Sequence, residues 1–222
     1  MVTDVEKPLI VAIDGPSGSG KSSTARGVAE RLGLAYLDTG AMYRAAAWLV
    51  AERGLDEPGA IVEAVRDARM EISLDPAAFA IGIEGVDVTE AIREPRISAT
   101  VSRVATIQAV RDILIARQRE LIAGAAQGIV AEGRDITTVV APAAPVRVLL
   151  VADPAARVAR RSAELGENVD RAQVTDQVIR RDADDSTVAA FSEAAPGVTV
   201  VDSTHLTLPE VVDRICALAQ PT

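Results

Sequence analysis

The sequence is poor in aromatic residues, lysine and cysteine. Aromatic residues make up 2% of the 222 residues and hydrophobic residues 49%, so Ala, Val, Ile and Leu have to build the core. These aliphatic residues are the ones that buried parallel strands favour. The single cysteine, Cys216, cannot form an intrachain disulfide, and its apolar neighbours favour a buried thiol. No feature indicates an oxidising compartment, and we expect a cytoplasmic protein.

Positive charge and long apolar runs are also scarce. The formal net charge is -9, the wrong sign for a protein that follows a phosphate backbone, so we expect no nucleic-acid partner. No run of about 18 uninterrupted apolar residues occurs, and we therefore expect no membrane-spanning helix. The length fits a single domain, 1–222, with a modest insertion, and we expect a monomer.

The order of hydrophobic runs predicts an α/β fold. The chain opens with a strand at 9–13, a loop and a helix at 22–32. A second strand at 34–37 and a second helix at 41–53 follow. Further strand-like runs lie at 129–131, 146–151 and 198–201. Strands that alternate with helices are typical of a parallel sheet covered on both faces. The sequence therefore predicts three layers, with a five-stranded parallel sheet in the middle.

A different pattern interrupts this order in the middle of the chain. Apolar positions alternate in 70–74 and 79–88, which favours antiparallel strands over another crossover. We assign residues 66–105 to an insertion and residues 1–65 and 106–222 to the core.

A second arginine-rich region lies between the last two predicted strands. Residues 154–165 and 170–182 both favour helix, and Gly166 separates them. We predict that residues 154–188 form a mobile helical lid.

Between the first strand and the first helix, two glycines separated by four residues precede Lys21 and Ser22. In such a loop the backbone N–H groups face phosphate oxygens, the lysine reaches the β- and γ-phosphates, and the serine hydroxyl can ligate Mg²⁺. The alternative is a chance Gly-Ser turn, which the strand and helix on either side disfavour. The predicted ATP-binding residues are Gly15, Pro16, Ser17, Gly18, Ser19, Gly20, Lys21, Ser22 and Ser23, with Ser22 as the magnesium ligand.

Further stretches with specific order and spacing accompany this loop. They are 37–44 (Leu-Asp-Thr-Gly-Ala-Met-Tyr-Arg), 84–88, 132–135 (Glu-Gly-Arg-Asp), 181–186 and 201–204. With residues 13–21, they resemble the bacterial cytidylate kinases over nearly the whole chain. The resemblance implies a P-loop fold of the nucleoside monophosphate kinases. It also implies transfer of the γ-phosphoryl of ATP to CMP or dCMP with Mg²⁺.

The same resemblance implies roles for single residues. It places Arg44 and Arg134 on the acceptor phosphate, Thr39, Arg111 and Asp135 against cytosine, Ser102, Arg181 and Asp185 near the sugar, and Arg157 and Arg161 in the lid. We expect Lys21, Arg134, Arg157, Arg161 and Arg181 to act on the transferred phosphoryl group. The chain departs from the family at Val188, where an arginine is usual, and at Thr39, where serine is usual.

Hydrogen-bonding patterns explain why cytosine suits Asp135 and Arg111. A carboxylate can accept from the N4 amine of cytosine, while a guanidinium donates to N3 and O2. Uracil reverses two of these groups and would leave buried polar groups unpaired. CMP should therefore be preferred over UMP, although the loss of an arginine at Val188 weakens discrimination between the bases.

Other interpretations remain open at this point. The chain could phosphorylate another nucleoside monophosphate, or a hydroxyl with Asp38 or Asp135 as the general base. A regulatory GTPase is disfavoured, because no Asn-Lys-x-Asp segment is present. Tyr43 and Trp48 are expected to be core residues, and Arg134-Asp135 could be a loop ion pair without a function.

Overall fold

The computed structural model describes residues 8–165 and 193–220. Its strands are β1 Ile10–Asp14, β2 Ala35–Asp38, β3 Met70–Ile72, β4 Ile81–Ile83, β5 Val86–Asp87, β6 Ile129–Gly133, β7 Val146–Val151 and β8 Thr199–Asp202. Its α-helices are α1 Lys21–Leu32, α2 Thr39–Glu52, α3 Pro58–Asp67, α4 Pro95–Ala105, α5 Gln108–Gly124, α6 Pro154–Leu165 and α7 Leu208–Leu218. A short 3₁₀ helix, Ala91–Arg93, and a π-helical turn, Ile136–Val140, complete the described elements.

Five of these strands form a parallel sheet in the order β2-β6-β1-β7-β8. The predicted sheet is confirmed. Four of its strands differ from the predicted bounds by one or two residues at one or both ends. β1 lies at the centre, where Val11 pairs with Val130 on one side and Val146 on the other. β-branched side chains of this kind pack well on a pleated surface that is covered on both faces.

Helices cover both faces of the sheet, which confirms the three predicted layers. Val11 and Ile13 point towards α1 and α7, whereas Ala12 belongs to the hydrophobic cluster that α2 and α5 build on the other face. This alternation is the period of two that a strand imposes on its side chains. Cys216 lies in the first cluster on α7 and is buried, as predicted.

The predicted antiparallel strands are also confirmed. β3, β4 and β5 form a separate three-stranded sheet, and β4 pairs antiparallel with both neighbours. Its first turn follows Asp75, whose carboxylate accepts from the Ala77 N–H. The sequence did not predict α4, which begins at Pro95, a residue well suited to the first position of a helix. The assignment of residues 66–105 to an insertion, and of residues 1–65 and 106–222 to the core, stays a prediction.

The first helix of the proposed lid is present, because α6 spans the predicted residues 154–165. The second predicted segment, 170–182, lies outside the described residues, as do Arg181, Asp185 and Val188. In residues 8–165 and 193–220, no helix combines the length and hydrophobicity needed to span a bilayer.

Candidate active site

The loop between β1 and α1 turns so tightly that two of its positions require glycine. Gly18 and Gly20 have φ values of 74° and 87°, a left-handed conformation that side chains disfavour. A Cβ atom at Gly18 would also lie 2.6 Å from the carbonyl oxygen of Arg157. The loop therefore packs directly against the backbone of α6 and leads into the N-terminus of α1.

Cationic side chains bind the carbonyl oxygens of this loop. The bonds are Arg134 Nη1 to Gly15 O (2.7 Å), Lys21 Nζ to Pro16 O (2.8 Å), Arg157 Nη1 to Ser17 O (3.1 Å) and Arg160 Nη1 to Ser19 O (3.3 Å). A peptide group points its C=O and its N–H in opposite directions. Each bond to a carbonyl oxygen therefore fixes the direction in which the following N–H group points.

The loop forms one wall of a cavity of about 490 Å³ at the carboxyl ends of β1, β2 and β6. Open α/β sheets bind ligands at this end of their strands. Of the predicted site residues, those that line the cavity are Ser17, Gly18, Gly20, Lys21, Ser22, Ser23, Thr39, Arg44, Arg111, Arg134, Asp135 and Arg161. The structure thus brings the phosphate loop and most of the predicted acceptor residues into one space.

Five predicted residues within the described part of the chain do not line this cavity. Gly15, Pro16 and Ser19 contribute backbone to the loop, and Arg157 donates to that backbone. Ser102 lies on α4 beside Val101, a residue of the cavity wall, but does not line the cavity itself.

Opposite the loop, Arg44 forms an ion pair with Asp38 at 2.8 Å. Asp38 ends β2 and its other oxygen accepts from the Ala41 N–H, so the same carboxylate caps α2. Both side chains are less than one-fifth exposed. The pair holds a guanidinium at the cavity wall and neutralises its charge there.

A second ion pair, Arg111 with Asp135, lies deeper in the same wall. The two side chains are 2.5 Å apart and only 10% and 8% exposed. Burial raises the pKa of Asp135, and the guanidinium of Arg111 opposes that rise because it stabilises the carboxylate. Asp135 therefore pairs with an arginine from α5 and not only with residues of its own loop.

Glu132, which sequence analysis did not assign to the site, lies between the two ends of the cavity. Its carboxylate accepts from the Ser22 hydroxyl at 2.5 Å, and its backbone oxygen accepts from the Thr39 hydroxyl at 2.8 Å. Burial raises the pKa of Glu132, the Asp38 carboxylate raises it further, and Lys21 lowers it. The signal that could have revealed it was a carboxylate at the end of a predicted strand.

Comparison with known proteins decides between the families that this geometry allows. The family model for cytidylate kinase matches residues 11–221. The chain belongs to the cytidylate kinase family. A cytidylate kinase of Cutibacterium acnes is 60% identical over 218 residues, which cover 97% of both chains. One from Nocardia farcinica is 45% identical over 217 residues, 95% of this chain and 93% of that protein.

A solved structure of a more distant protein resembles this chain in its fold alone. The crystal structure of an uncharacterized protein from Eubacterium ventriosum superposes with a TM-score of 0.54 at 13% identity. The superposition covers 95% of this chain and 98% of that one. The architecture is therefore found in proteins of very different sequence.

Asp14 is a second residue that sequence analysis left without a role. It ends β1, and its carboxylate accepts from the backbone N–H groups of Ile136 and Thr137 and from the Thr137 hydroxyl. These bonds fix the first turn after Arg134 and Asp135, and thereby the backbone that presents both side chains to the cavity. Burial raises the pKa of Asp14, and the three donors oppose the rise.

Tyr43 is the third such residue in this member of the family. We expected an ordinary core position, and Tyr43 does pack against the hydrophobic cluster that α2 to α5 build, but it also lines the cavity with Arg44 and Arg111. Burial raises the pKa of its hydroxyl, which stays protonated. Trp48 also packs against the hydrophobic core, as predicted, but does not line the cavity. A tyrosine on a helix gives no signal that separates these two positions.

Proposed function

We propose that this protein transfers the γ-phosphoryl group of ATP to CMP and to dCMP, giving ADP with CDP or dCDP. The observation that carries the proposal is the single cavity that joins the phosphate loop to Arg44, Arg134 and the Arg111–Asp135 pair. One end offers backbone N–H groups, a lysine and a helix N-terminus, and the other offers guanidinium groups beside a carboxylate. Family membership supports both assignments.

At the first end, ATP would place its phosphates in the loop, with Lys21 at the β- and γ-phosphates. Mg²⁺ suits the oxygens beside it, because magnesium is usually bound by one or two oxygen side chains together with substrate phosphates and water. Ser22 and Glu132 would hold the ion, which neutralises charge on the phosphates when bound. Within the described residues, no group of three or more His, Cys, Asp or Glu side chains could hold a metal ion.

At the second end, Arg44 and Arg134 would bind the acceptor phosphate. A guanidinium fork matches paired phosphate oxygens better than an ammonium group does. The Arg44 guanidinium already lies at the cavity wall, held by Asp38. Arg134 donates to Gly15 O. The acceptor phosphate would therefore compete with this carbonyl oxygen for the N–H donors of Arg134.

Base recognition would fall to the Arg111–Asp135 pair. A carboxylate has two oxygens, so Asp135 can keep its bond to Arg111 and accept from the N4 amine of cytosine as well. Arg111 would donate to the acceptors of the base. Ser102, Arg181 and Asp185 remain the proposed contacts of the sugar, and the last two lie outside the described residues.

The chemistry requires positioning more than proton transfer. A phosphomonoester has a second pKa of about 6 and is mostly dianionic at pH 7, so it attacks without a base. An acceptor oxygen forms the new bond to the γ-phosphorus while the bond to the bridging oxygen of ADP breaks. Arg134, Arg157, Arg161 and Arg181 would stabilise the charge that develops, and the lid would exclude water.

The environment of the two candidate bases argues against a hydroxyl acceptor. Asp38 is occupied by Arg44 and by the N-terminus of α2, and Asp135 is occupied by Arg111. Both carboxylates thus already serve as partners of an arginine, whereas a general base has to face the substrate hydroxyl within hydrogen-bond reach. We further propose a monomer that works in the cytoplasm.

A coupled assay that follows ADP tests the proposal. The purified protein receives ATP, Mg²⁺ and one of CMP, dCMP, UMP, AMP or GMP. We expect CMP and dCMP to give the highest turnover and UMP less, because uracil leaves buried polar groups unpaired. Fastest turnover with AMP or GMP, or ADP release without any acceptor as the main activity, would contradict the proposal.

A further inference from the structure

Arg160 joins three segments that lie far apart in the sequence. It lies on α6, and its Nη1 donates to Ser19 O in the phosphate loop at 3.3 Å. Nη1 also donates to Ser203 Oγ at 2.9 Å, and Nη2 donates to Ser203 O at 2.6 Å. Ser203 follows β8 directly and is only 2% exposed. Neither the sequence motifs nor the family resemblance assigned a role to Arg160 or to Ser203.

Ser203 strengthens the same contact. Its hydroxyl lies 3.2 Å from Ser19 O and 3.0 Å from Val151 O, and it can donate its single proton to either oxygen. The Ser203 N–H also donates to Val151 O at 2.8 Å, which fixes the serine to the end of β7. The Ser19 carbonyl therefore faces a charged donor and a buried hydroxyl, and the serine that carries this hydroxyl is fixed to the end of β7.

The geometry points to a positioning role for Arg160 in ATP binding. Gly20 lines the cavity, whereas Ser19, Arg160 and Ser203 do not. Because a trans peptide directs its C=O and N–H to opposite sides, bonds to Ser19 O from outside the cavity lining turn the Gly20 N–H towards the cavity. We propose that Arg160 and Ser203 hold the Ser19–Gly20 peptide in the orientation that binds a phosphate oxygen of ATP.

Such an anchor is needed because the peptide has little resistance to rotation. Gly18 precedes Ser19 and Gly20 follows it, and glycine backbones reach many conformations at similar free energy. A peptide flip would replace a donor by a carbonyl oxygen, which repels a phosphate. The guanidinium of Arg160 opposes the flip with a charge-assisted bond, which is stronger than one between neutral groups.

The test rests on the proposed ATP binding and compares Arg160→Met, Arg160→Lys and Ser203→Ala with Arg117→Met. Arg117 donates to Arg66 O at 2.8 Å, away from the cavity, and serves as a matched control. We expect Arg160→Met to raise the KM for ATP on the order of 10-fold and to leave the KM for CMP unchanged. The KM for ATP of Arg160→Lys should lie between those of the wild-type protein and Arg160→Met. Ser203→Ala should raise the KM for ATP less than Arg160→Met does.

Calorimetric titration with ADP measures nucleotide binding directly, and the melting temperature shows whether each variant folds. An unchanged KM for ATP, an equal rise in both KM values, or a fall in kcat alone would overturn the positioning role. If Arg160→Met does not fold, the KM values of Ser203→Ala decide by the same criteria. If the wild-type protein itself does not bind ADP, the proposed function fails, whereas normal wild-type binding with unchanged variants refutes only the role of Arg160.

Discussion

The two ends of the cavity prepare for their ligands in different ways. At the phosphate loop, the groups proposed to face the ligand are backbone N–H groups, and Arg157 and Arg160, which do not line the cavity, hold the loop through its carbonyl oxygens. At the other end, the side chains themselves would face the ligand, and they pair with each other, as Arg44 does with Asp38 and Arg111 with Asp135. The first end is built to keep one shape, and the second to exchange partners.

This difference follows from what each end has to recognise. Phosphate oxygens are alike, so a fixed ring of identical N–H donors suits them. A nucleobase carries donors and acceptors in a specific order, and only side chains can match that order. Buried charges at the second end need partners while no ligand is present, because an unpaired buried charge is costly. Substitutions at the two ends should therefore change different kinetic constants.

The largest effect is expected for Arg134→Ala, because Arg134 contacts both ends. It donates to Gly15 O in the loop and lines the cavity beside Asp135. We expect steady-state measurements to show a loss in kcat/KM on the order of 10²-fold, comparable to removal of one preorganised donor. Arg119→Ala is the control, since Arg119 donates to Val139 O and does not line the cavity. Normal turnover in Arg134→Ala would show that neither end needs this arginine.

A smaller effect, confined to the second end, is expected for Asp135→Ala. The ratio of kcat/KM for CMP to that for UMP should fall roughly 10-fold, because the acceptor for the N4 amine is lost. The KM for ATP should change little. Asp112→Ala removes a carboxylate one residue after Arg111 that is exposed and accepts from Gln108, and its base preference should stay normal. A preference for CMP that survives in Asp135→Ala refutes the base-reading role.

The smallest effect, confined to the first end, is expected for Gly18→Ala. The new Cβ would meet Arg157 O at 2.6 Å and force the loop to shift, so the KM for ATP should rise about 5-fold. Gly54→Ala is the matched control, because Gly54 also has a positive φ, 60°, with no atom within 4 Å of a new Cβ. It should lose stability without a change in either KM. An equal rise in the KM for ATP in both variants would show that the rigidity of the loop is irrelevant.

The sequence predicted the first end better than the second. The phosphate loop is one continuous segment, so its glycines, Lys21 and Ser22 could be recognised from spacing alone. The sheet was predictable for a similar reason, since buried parallel strands are short aliphatic runs such as 146–151. The helix at 95–105 was missed although Ile97, Val101 and Val104 recur at helical spacing and are buried.

The rest of the site depends on pairs that the chain brings together over long distances. Arg111 meets Asp135 across 24 residues, and Ser22 meets Glu132 across 110. Asp14 contacts Thr137 across 123 residues, and no local pattern indicates that contact. The family resemblance named several partners but neither Glu132 nor Asp14, whose contacts became visible only when the strand ends were placed side by side.

Transfer of label from ATP to CMP tests the central claim most directly. The purified protein is mixed with Mg²⁺, CMP and ATP that carries radioactive phosphorus only in its γ-phosphate, and the products are separated by chromatography. If the two ends of the cavity hold the two substrates together, the label should appear in the β-phosphate of CDP at the rate of ADP formation. Label that appears in inorganic phosphate, or that stays in ATP, would contradict the account.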